Sequence, residues 1–496
     1  MFIAYDRKNG VEYAKLLTSH RKGKKTTKDY INLGRVLDKD AGIYQNRERG
    51  VFTYDLKDNT YGRPSASFLL PSPHVREKLI LDFGDIFLLN TFIQSSGLVT
   101  AINNIGYGNL DTLYAMLCYY ILCNLSNCHA NDWWEGSYAR ILFPNANLTS
   151  QRISEFLLDI GAEEALRGFF GRYLAIIGAT KSFTNILIDS TGLPNNVHFP
   201  MTAISNHNGE ISNEVRLIYV SQQETGLPIY FRYCPGNVVD VSTLVRTVRE
   251  LQASGVNTKL AILDAGFYSD QNLLDLYNAK ISFVIRLKQN TKIYKKLVAD
   301  CLPIIVNEEN ICEHNSRYVY IKRVECQLVQ GFKAYAYVGL DLDRKSSEER
   351  KLCARAKADK LSPRDVHERL SRQGIFVLVS SKRLKSDEIL PVYYTRQQIE
   401  QVFDIGKNYA NIVPLRIQGE GTFRGHLLLT FIATVIFKML QNKLIDTAYN
   451  PMSLFLNMKN QKCKVYADRI ITSEAFKKAN DCYKLFDIKC PVVIPR

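Results

Sequence analysis

Asp189 closes the apolar run NILID, and Asp264 closes the run LAILD. Each run reads as a buried β-strand, so each carboxylate is expected at a strand's carboxyl end, where the chain turns into a loop. In α/β sheets that end is where ligands bind. A single such aspartate is as readily a helix cap or a turn residue. Two of them on neighbouring strands project into one crevice. Like charges at close range repel, and a divalent cation relieves that repulsion. Glu400 offers a third ligand of the same oxygen type.

Glu400 lies in YYTRQQIEQVFDIGK, residues 393–407. Projected on one helix at about 100° per residue, Arg396 lies about 40° from Glu400, and Tyr393 and Lys407 each lie about 20° from it. Tyr393, Arg396, Glu400 and Lys407 therefore form one polar stripe, with Ile399, Val402 and Phe403 left to pack beside it. The plain alternative is a solvated face with an Arg396–Glu400 ion pair worth about 0.3–0.5 kcal/mol. As a working site, an acid flanked by two cations holds a metal and a phosphodiester together. Arginine supplies a planar fork for phosphate oxygens and lysine a point charge.

The elements around these residues fall into segments. Residues 1–74 read as a small β-rich module, with Arg21, Lys22, Lys24, Lys25 and Lys28 on a flexible basic arm or a solvated surface loop. Residues 75–180 turn helical, from VREKLILDFGDIFLLNTFIQSSG to LTSQRISEFLLDIG, where Ser150 is a candidate cap, and form an expected DNA-binding domain. Trp133 and Trp134 read as packing residues. From 181 the chain alternates strands and helices through 289, in the order β-β-β-α-β-α-β, which is the arrangement of an RNase H-like fold. Residues 290–374 interrupt that unit with a hairpin about Gln330–Gly331 and a charged, partly helical stretch. Residues 375–445 resume it with the strand IFVLVSS and two helices. Residues 446–496 are expected to be a basic, helical tail. The fold class is thus α/β: an RNase H-like catalytic domain with a β-rich insertion, a β-rich N-terminal module, a helical N-terminal domain and a helical C-terminal tail.

Composition narrows the partners. The chain carries 64 Lys+Arg against 49 Asp+Glu, a formal net charge of +15, which favours a polyanion such as nucleic acid. Its 11 cysteines include no CxxC pair, so neither a zinc site nor a disulfide framework is expected, and free thiols suit a reducing cytosol. The N-terminus lacks the apolar run of a signal peptide. The apolar stretches at 113–125 and 427–437 read as core helices too short to span a bilayer, and no membrane partner is expected.

The spacing Y-x2-R-x3-E-x6-K at Tyr393, Arg396, Glu400 and Lys407 resembles the YREK signature of the IS-four group of bacterial insertion-sequence transposases. Asp189 in IDSTG and Asp264 in LDAGF resemble that group's two aspartates, and FRYCPGNVVDVSTL at 231–244 its PGN-D-STL stretch. YINLGRVLDKDAGIYQNRERGVF and FRGHLLLTFIA are similar to segments of its long members. The resemblance implies a DDE transposase in which Asp189, Asp264 and Glu400 are catalytic and hold two Mg²⁺ ions, with Mn²⁺ as an alternative. Arg396, Lys407 and Tyr393 would contact DNA. It implies an endonuclease step at the ends of a mobile element, transfer of the freed 3′-hydroxyls to target DNA, a homodimer in a synaptic complex, and work in the cytoplasm at the bacterial nucleoid. Hairpin-forming members stack a flipped base on an aromatic of the insertion. This insertion has no Trp, and Tyr318, Tyr320, Phe332, Tyr335 and Tyr337 read mainly as hairpin packing.

Two other readings stay open on the residues alone. One is a catalytically silent DNA-binding protein derived from a transposase. The other is an RNase H-fold nuclease without strand transfer.

Overall fold

The computed structural model describes residues 1–496 except 9–10, 23–24, 47, 65–78, 181–182, 196, 198, 208–209, 239–241, 360–362, 414 and 416. The expected boundary at 74–75 and Asp240 of the PGN-D-STL stretch therefore lie outside the described residues. Two compact units emerge: Met1–Leu79 with Lys464–Ile470 and Ile494–Arg496, and Ile80–Cys463 with Ile471–Val493.

The first unit contains a six-stranded antiparallel meander, β1 (Phe2–Lys8), β2 (Val11–Lys22), β3 (Lys25–Asp38), β4 (Ile43–Asn46), β5 (Gly50–Asp55) and β6 (Thr60–Gly62), paired in chain order. Ala14, Leu16, Leu33, Tyr44, Phe52 and Tyr54 form its core. Gly34, at φ +92°, sits so close to the Gln45 carbonyl that a β-carbon would collide with it. The basic stretch expected as a loop is instead the distal part of the β2–β3 hairpin, with Ser19 opposite Lys28. Antiparallel strands accept polar residues, so a basic sequence can still extend a ladder.

β7 (Leu79–Asp82), a strand where a helix was expected, runs into the second unit from Ile80 on, and then come α1 (Gly84–Ser95), α2 (Leu110–Leu122), α3 (Ser150–Ile160) and α4 (Glu163–Thr180). Ser150 is inside α3, not its cap; Thr149 precedes the helix without a capping side-chain bond. Trp133 packs edge-on against Tyr119, and Trp134 donates to the Phe143 carbonyl at 3.1 Å.

A ten-stranded sheet follows. Its first half is β8 (Asn185–Pro194), β9 (Ala203–His207), β10 (Glu210–Gln222), β11 (Pro228–Pro235), α5 (Leu244–Ala253), β12 (Leu260–Leu263), α6 (Asp270–Asn278) and β13 (Ser282–Arg286). The spatial order is β11-β10-β8-β12-β13, with β10 antiparallel to both neighbours and β8, β12 and β13 mutually parallel. β9, which was not anticipated, pairs with β10.

The insertion holds α7 (Lys292–Ile305), β14 (Ile311–His314), β15 (Arg317–Val329), β16 (Phe332–Asp341), α8 (Leu342–Asp359) and α9 (Pro363–Leu370). It does not form a body of its own. β17 (Ile375–Ser380) pairs with β13 on one side and β16 on the other, so the order continues as β13-β17-β16-β15-β14. All six residues of β17 are buried, and a strand without a polar face can only lie inside a sheet.

Then come α10 (Ile389–Tyr394), α11 (Gln397–Asn408) and α12 (Glu420–Lys443). α12 is apolar and long enough to cross a membrane, but 89% of its most apolar window is buried inside the protein. It packs on α2 and α3; β-carbons at Gly161 and Gly425 would strike the carbonyls of Gly421 and Leu157, so the backbones touch directly. The C-terminal stretch is not wholly helical. α13 (Pro451–Lys459) and α14 (Lys477–Leu485) alternate with the short strands β18 (Lys462–Val465), β19 (Arg469–Thr472) and β20 (Val493–Pro495).

Candidate active site

The parallel ladder of β8 and β12 ends at the pair Ile188–Leu263. The next residue on each strand is an aspartate, so Asp189 and Asp264 lie side by side at the same level. Asp264 follows the end of β12, but β8 does not end at Asp189. It runs on to Pro194, paired with β10 as far as Glu214. The expected strand end is therefore a step in the sheet, where one neighbour stops and the other continues.

The four residues from Asp189 to Gly192 divide their work by the alternation of a strand. Asp189 Oδ2 accepts from Arg396 Nη1 at 2.6 Å, and Thr191 Oγ1 accepts from Lys407 Nζ at 2.6 Å. On the other face Ser190 Oγ accepts from Arg216 Nη1 at 3.3 Å. A β-carbon at Gly192 would collide with the Glu214 carboxylate, so glycine makes the room. Glu214 and Arg216 form a nearly fully buried ion pair at 3.3 Å, and Ser205 also accepts from Arg216. Burial of such a pair costs desolvation, which good hydrogen bonds must offset.

α11 is fixed from beneath by Ile399, Val402, Phe403 and Ile405. Phe403 stacks on Tyr219, the β10 partner of Asp189, with centroids 5.3 Å apart. Glu400 is left on the solvent side. The residues expected on one continuous helix are split between two. Arg396, Gln398 and Ile399 donate to carbonyls three residues back, at 3.1, 2.9 and 3.0 Å. Such a tight turn winds about 120° per residue rather than 100°. It rotates Tyr393, on α10, out of the projected stripe, and leaves Arg396 just before α11. Tyr393 still reaches Asp264 Oδ1 at 3.4 Å.

Arg396 is the centre of the cluster. It bonds Asp189 and Glu400 at 2.6 Å each, and its Nη2 lies 4.0 Å from Asp264 Oδ1. Burial works against its charge, and the carboxylates of Asp189 and Asp264 more than offset that, raising its pKa. Tyr393 is pushed well above the usual phenol range by burial and then by Asp264, so its hydroxyl stays protonated as a donor. Lys407 is lowered by burial, with Glu214 opposing. Among the described residues no three His, Cys, Asp or Glu side chains are gathered closely enough to share one ion. The guanidinium stands among the three carboxylates instead.

The structure thus brings Asp189, Asp264, Glu400, Arg396 and Tyr393 into one cluster, with Lys407 held two residues along β8. Reasoning from the sequence missed Thr191, Ser190, Glu214, Arg216, and also Arg286 and Arg344, which line a small cleft of about 110 Å³ beside Arg396 and Glu400. The STG after Asp189 was the signal that could have found the first two. Of the insertion aromatics, Tyr337 is fully buried and Phe332 stacks on Tyr277, while Tyr318 is 62% exposed.

A family model described as "Transposase DDE domain" matches residues 182–436. No curated protein sequence matches the chain. Among solved structures the chain is similar to a piggyBac transposase in a synaptic complex with hairpin DNA, determined by cryo-EM. That likeness has a TM-score of 0.40 and 11% identity, and covers 76% of this chain and 79% of that one. The family match spans β8 to most of α12, more than half of the 496 residues, and the chain belongs to the DDE-domain transposases.

Proposed function

We propose that the chain is an active cut-and-paste transposase of the IS-four group, with Asp189, Asp264 and Glu400 as its catalytic acids. The observation that carries this is the arrangement around Arg396: three carboxylates from two parallel strands and one helix converge on a single cation. The strand order β11-β10-β8-β12-β13, with β10 alone reversed, supports an RNase H-like catalytic core. In this reading residues 181–289 and 375–445 are that core, 290–374 its insertion, 75–180 a DNA-binding region, 446–496 a basic tail and 1–74 an accessory module.

The donor set is oxygen only, which suits hard divalent cations such as Mg²⁺ or Mn²⁺. Asp189, Asp264 and Glu400 would hold two such ions, which activate a water or 3′-hydroxyl and stabilise the leaving oxygen. The chain's own groups do the rest. Arg396, which neutralises the acids here, would offer its planar fork to the phosphate beside the scissile bond. Lys407, steadied by Thr191, supplies a second positive charge to the same backbone. Tyr393 keeps its proton and orients Asp264. Strand transfer to target DNA would follow within a homodimer that synapses two ends, at the bacterial nucleoid.

Purified protein with Mg²⁺ should nick DNA carrying its own terminal inverted repeats and join pre-cut ends to a target plasmid. Cleavage without joining would make it a nuclease of the same fold. DNA binding with no metal-dependent cleavage, and no difference on Asp189→Asn, would sink the reading.

A further inference from the structure

A second cleft, of about 810 Å³, opens where α7, α8 and the turn after α9 meet beside β17. Lys295, Lys351, Arg355, Arg369 and Arg372 line it, and Glu348 is the only acid among its lining residues. That carboxylate is already engaged, by Arg344 Nε at 2.6 Å and the Gly374 amide at 2.8 Å. Among the described residues Lys295, Lys351, Arg355 and Arg369 enter no ion pair, and all four are exposed. Four cations without partners, concentrated in one concavity, attract a polyanion.

α8 connects this cleft to the catalytic cluster. At about 100° per residue, Arg344, Glu348, Lys351 and Arg355 stay within roughly 60° of one another, on a single face. Arg344 lines the small cleft beside Arg396 and Glu400, while Lys351 and Arg355 line the large one. From Arg344 to Arg355 the helix rises about 16 Å, close to five steps of a DNA strand at about 3.4 Å each.

We propose that the cleft is a track for the DNA phosphate backbone as it leaves the scissile position along α8. The inference rests on the transposase reading of the catalytic cluster, and concerns residues that reading does not use.

The test compares the full chain with two fourfold variants. One is K295Q/K351Q/R355Q/R369Q. The other, K459Q/K477Q/K478Q/K484Q, removes the same charge from exposed positions of the C-terminal region. Binding of a mixed-sequence duplex of about 40 base pairs, and of a single strand of the same length, is measured against salt in EDTA. For the cleft variant the log–log salt slope on duplex should be shallower by about 3–4, at roughly 0.9 for each phosphate no longer neutralised. A larger change on the single strand than on the duplex would assign the track to unpaired flanking DNA. Equal losses in the two variants, or no loss in the cleft variant, would overturn the proposal. If the fourfold variant does not fold, K351Q and R369Q singly, each expected to lower the slope by about one unit, decide the matter. Mg²⁺-dependent cleavage is scored separately. Unchanged binding with intact cleavage removes the track and leaves the transposase. Weakened binding in the cleft variant, with no cleavage by any of the proteins, removes the catalytic reading and leaves a DNA-binding surface.

Discussion

At the step between β8 and β12 three carboxylates share one guanidinium; between α7 and α8 five cations line a cleft whose one carboxylate is already held by Arg344. The two regions are built on the same sheet and joined by one helix face, yet their charge imbalances are opposite. The acidic cluster is partly buried, its Asp189 side chain 13% exposed and Arg396 19%, so its charges feel a low dielectric and must be met locally. The basic cleft is open, so its charges are screened by water and salt and act mainly on a partner that brings many charges at once. The difference teaches where chemistry and where grip should lie. Compact, mutually compensated charge suits a metal and a reacting bond. Dispersed, uncompensated charge suits a backbone.

Removing an acid breaks the comparison most severely. Asp189→Asn should lower the rate of Mg²⁺-dependent strand cleavage by on the order of 10³-fold, about 4 kcal/mol of transition-state stabilisation, while DNA affinity in EDTA stays near that of the unaltered protein. Single-turnover cleavage and anisotropy read the two effects apart; a comparable loss in both would mean that the acids act through folding alone.

A second change probes a region carrying neither imbalance. His426, on α12, is wholly buried, with Tyr120 Oη 2.8 Å from Nδ1, and burial lowers its pKa to about 4. The unfolded chain protonates near the ordinary value of about 6.5, and the native state does not, so stability falls as pH drops from there toward 4. The full effect is about 3 kcal/mol. Denaturant titrations of His426→Gln should lack most of this acid-side slope, and an unchanged slope would assign it to other groups.

Arg396→Ala should leave three carboxylates without their counter-charge and lower stability by about 1–3 kcal/mol in EDTA. Mg²⁺ should then raise the melting temperature of the variant more than that of the unaltered chain, since the ion now meets an unbalanced site. An equal rise in both proteins would show that the guanidinium and the ion do not share a place.

The smallest effect concerns Thr191→Val, which removes the acceptor for Lys407. It should cost about 0.5–1.5 kcal/mol, measured as weaker binding of pre-cut ends, with the cleavage rate at saturating DNA little changed.

Much of this site was legible in advance because strands and helices announce themselves through apolar spacing. NILID and LAILD marked two strands expected to be neighbours, and the structure pairs them in parallel. Two features were beyond that reasoning. A helical wheel assumes uniform winding, so it could not show that the chain tightens at Thr395–Ile399 and parts Tyr393 from Glu400. Periodicity also gives no account of which strand neighbours which. The pairing of β17 with β13 joins residues nearly a hundred positions apart in the chain, and its pairing with β16 brings three strands of the expected insertion into the same ten-stranded sheet. The basic arm about Lys22 and Lys25 and the C-terminal strands were misjudged for a simpler reason: short polar ladders resemble loops when composition alone is weighed.

The all-buried β17 also says something about ancestry. Excising residues 290–374 would remove β16 from one side of it and leave an apolar ladder edge facing water, a template for association between chains. A shorter relative cannot simply lack the insertion. It must cap that edge in another way.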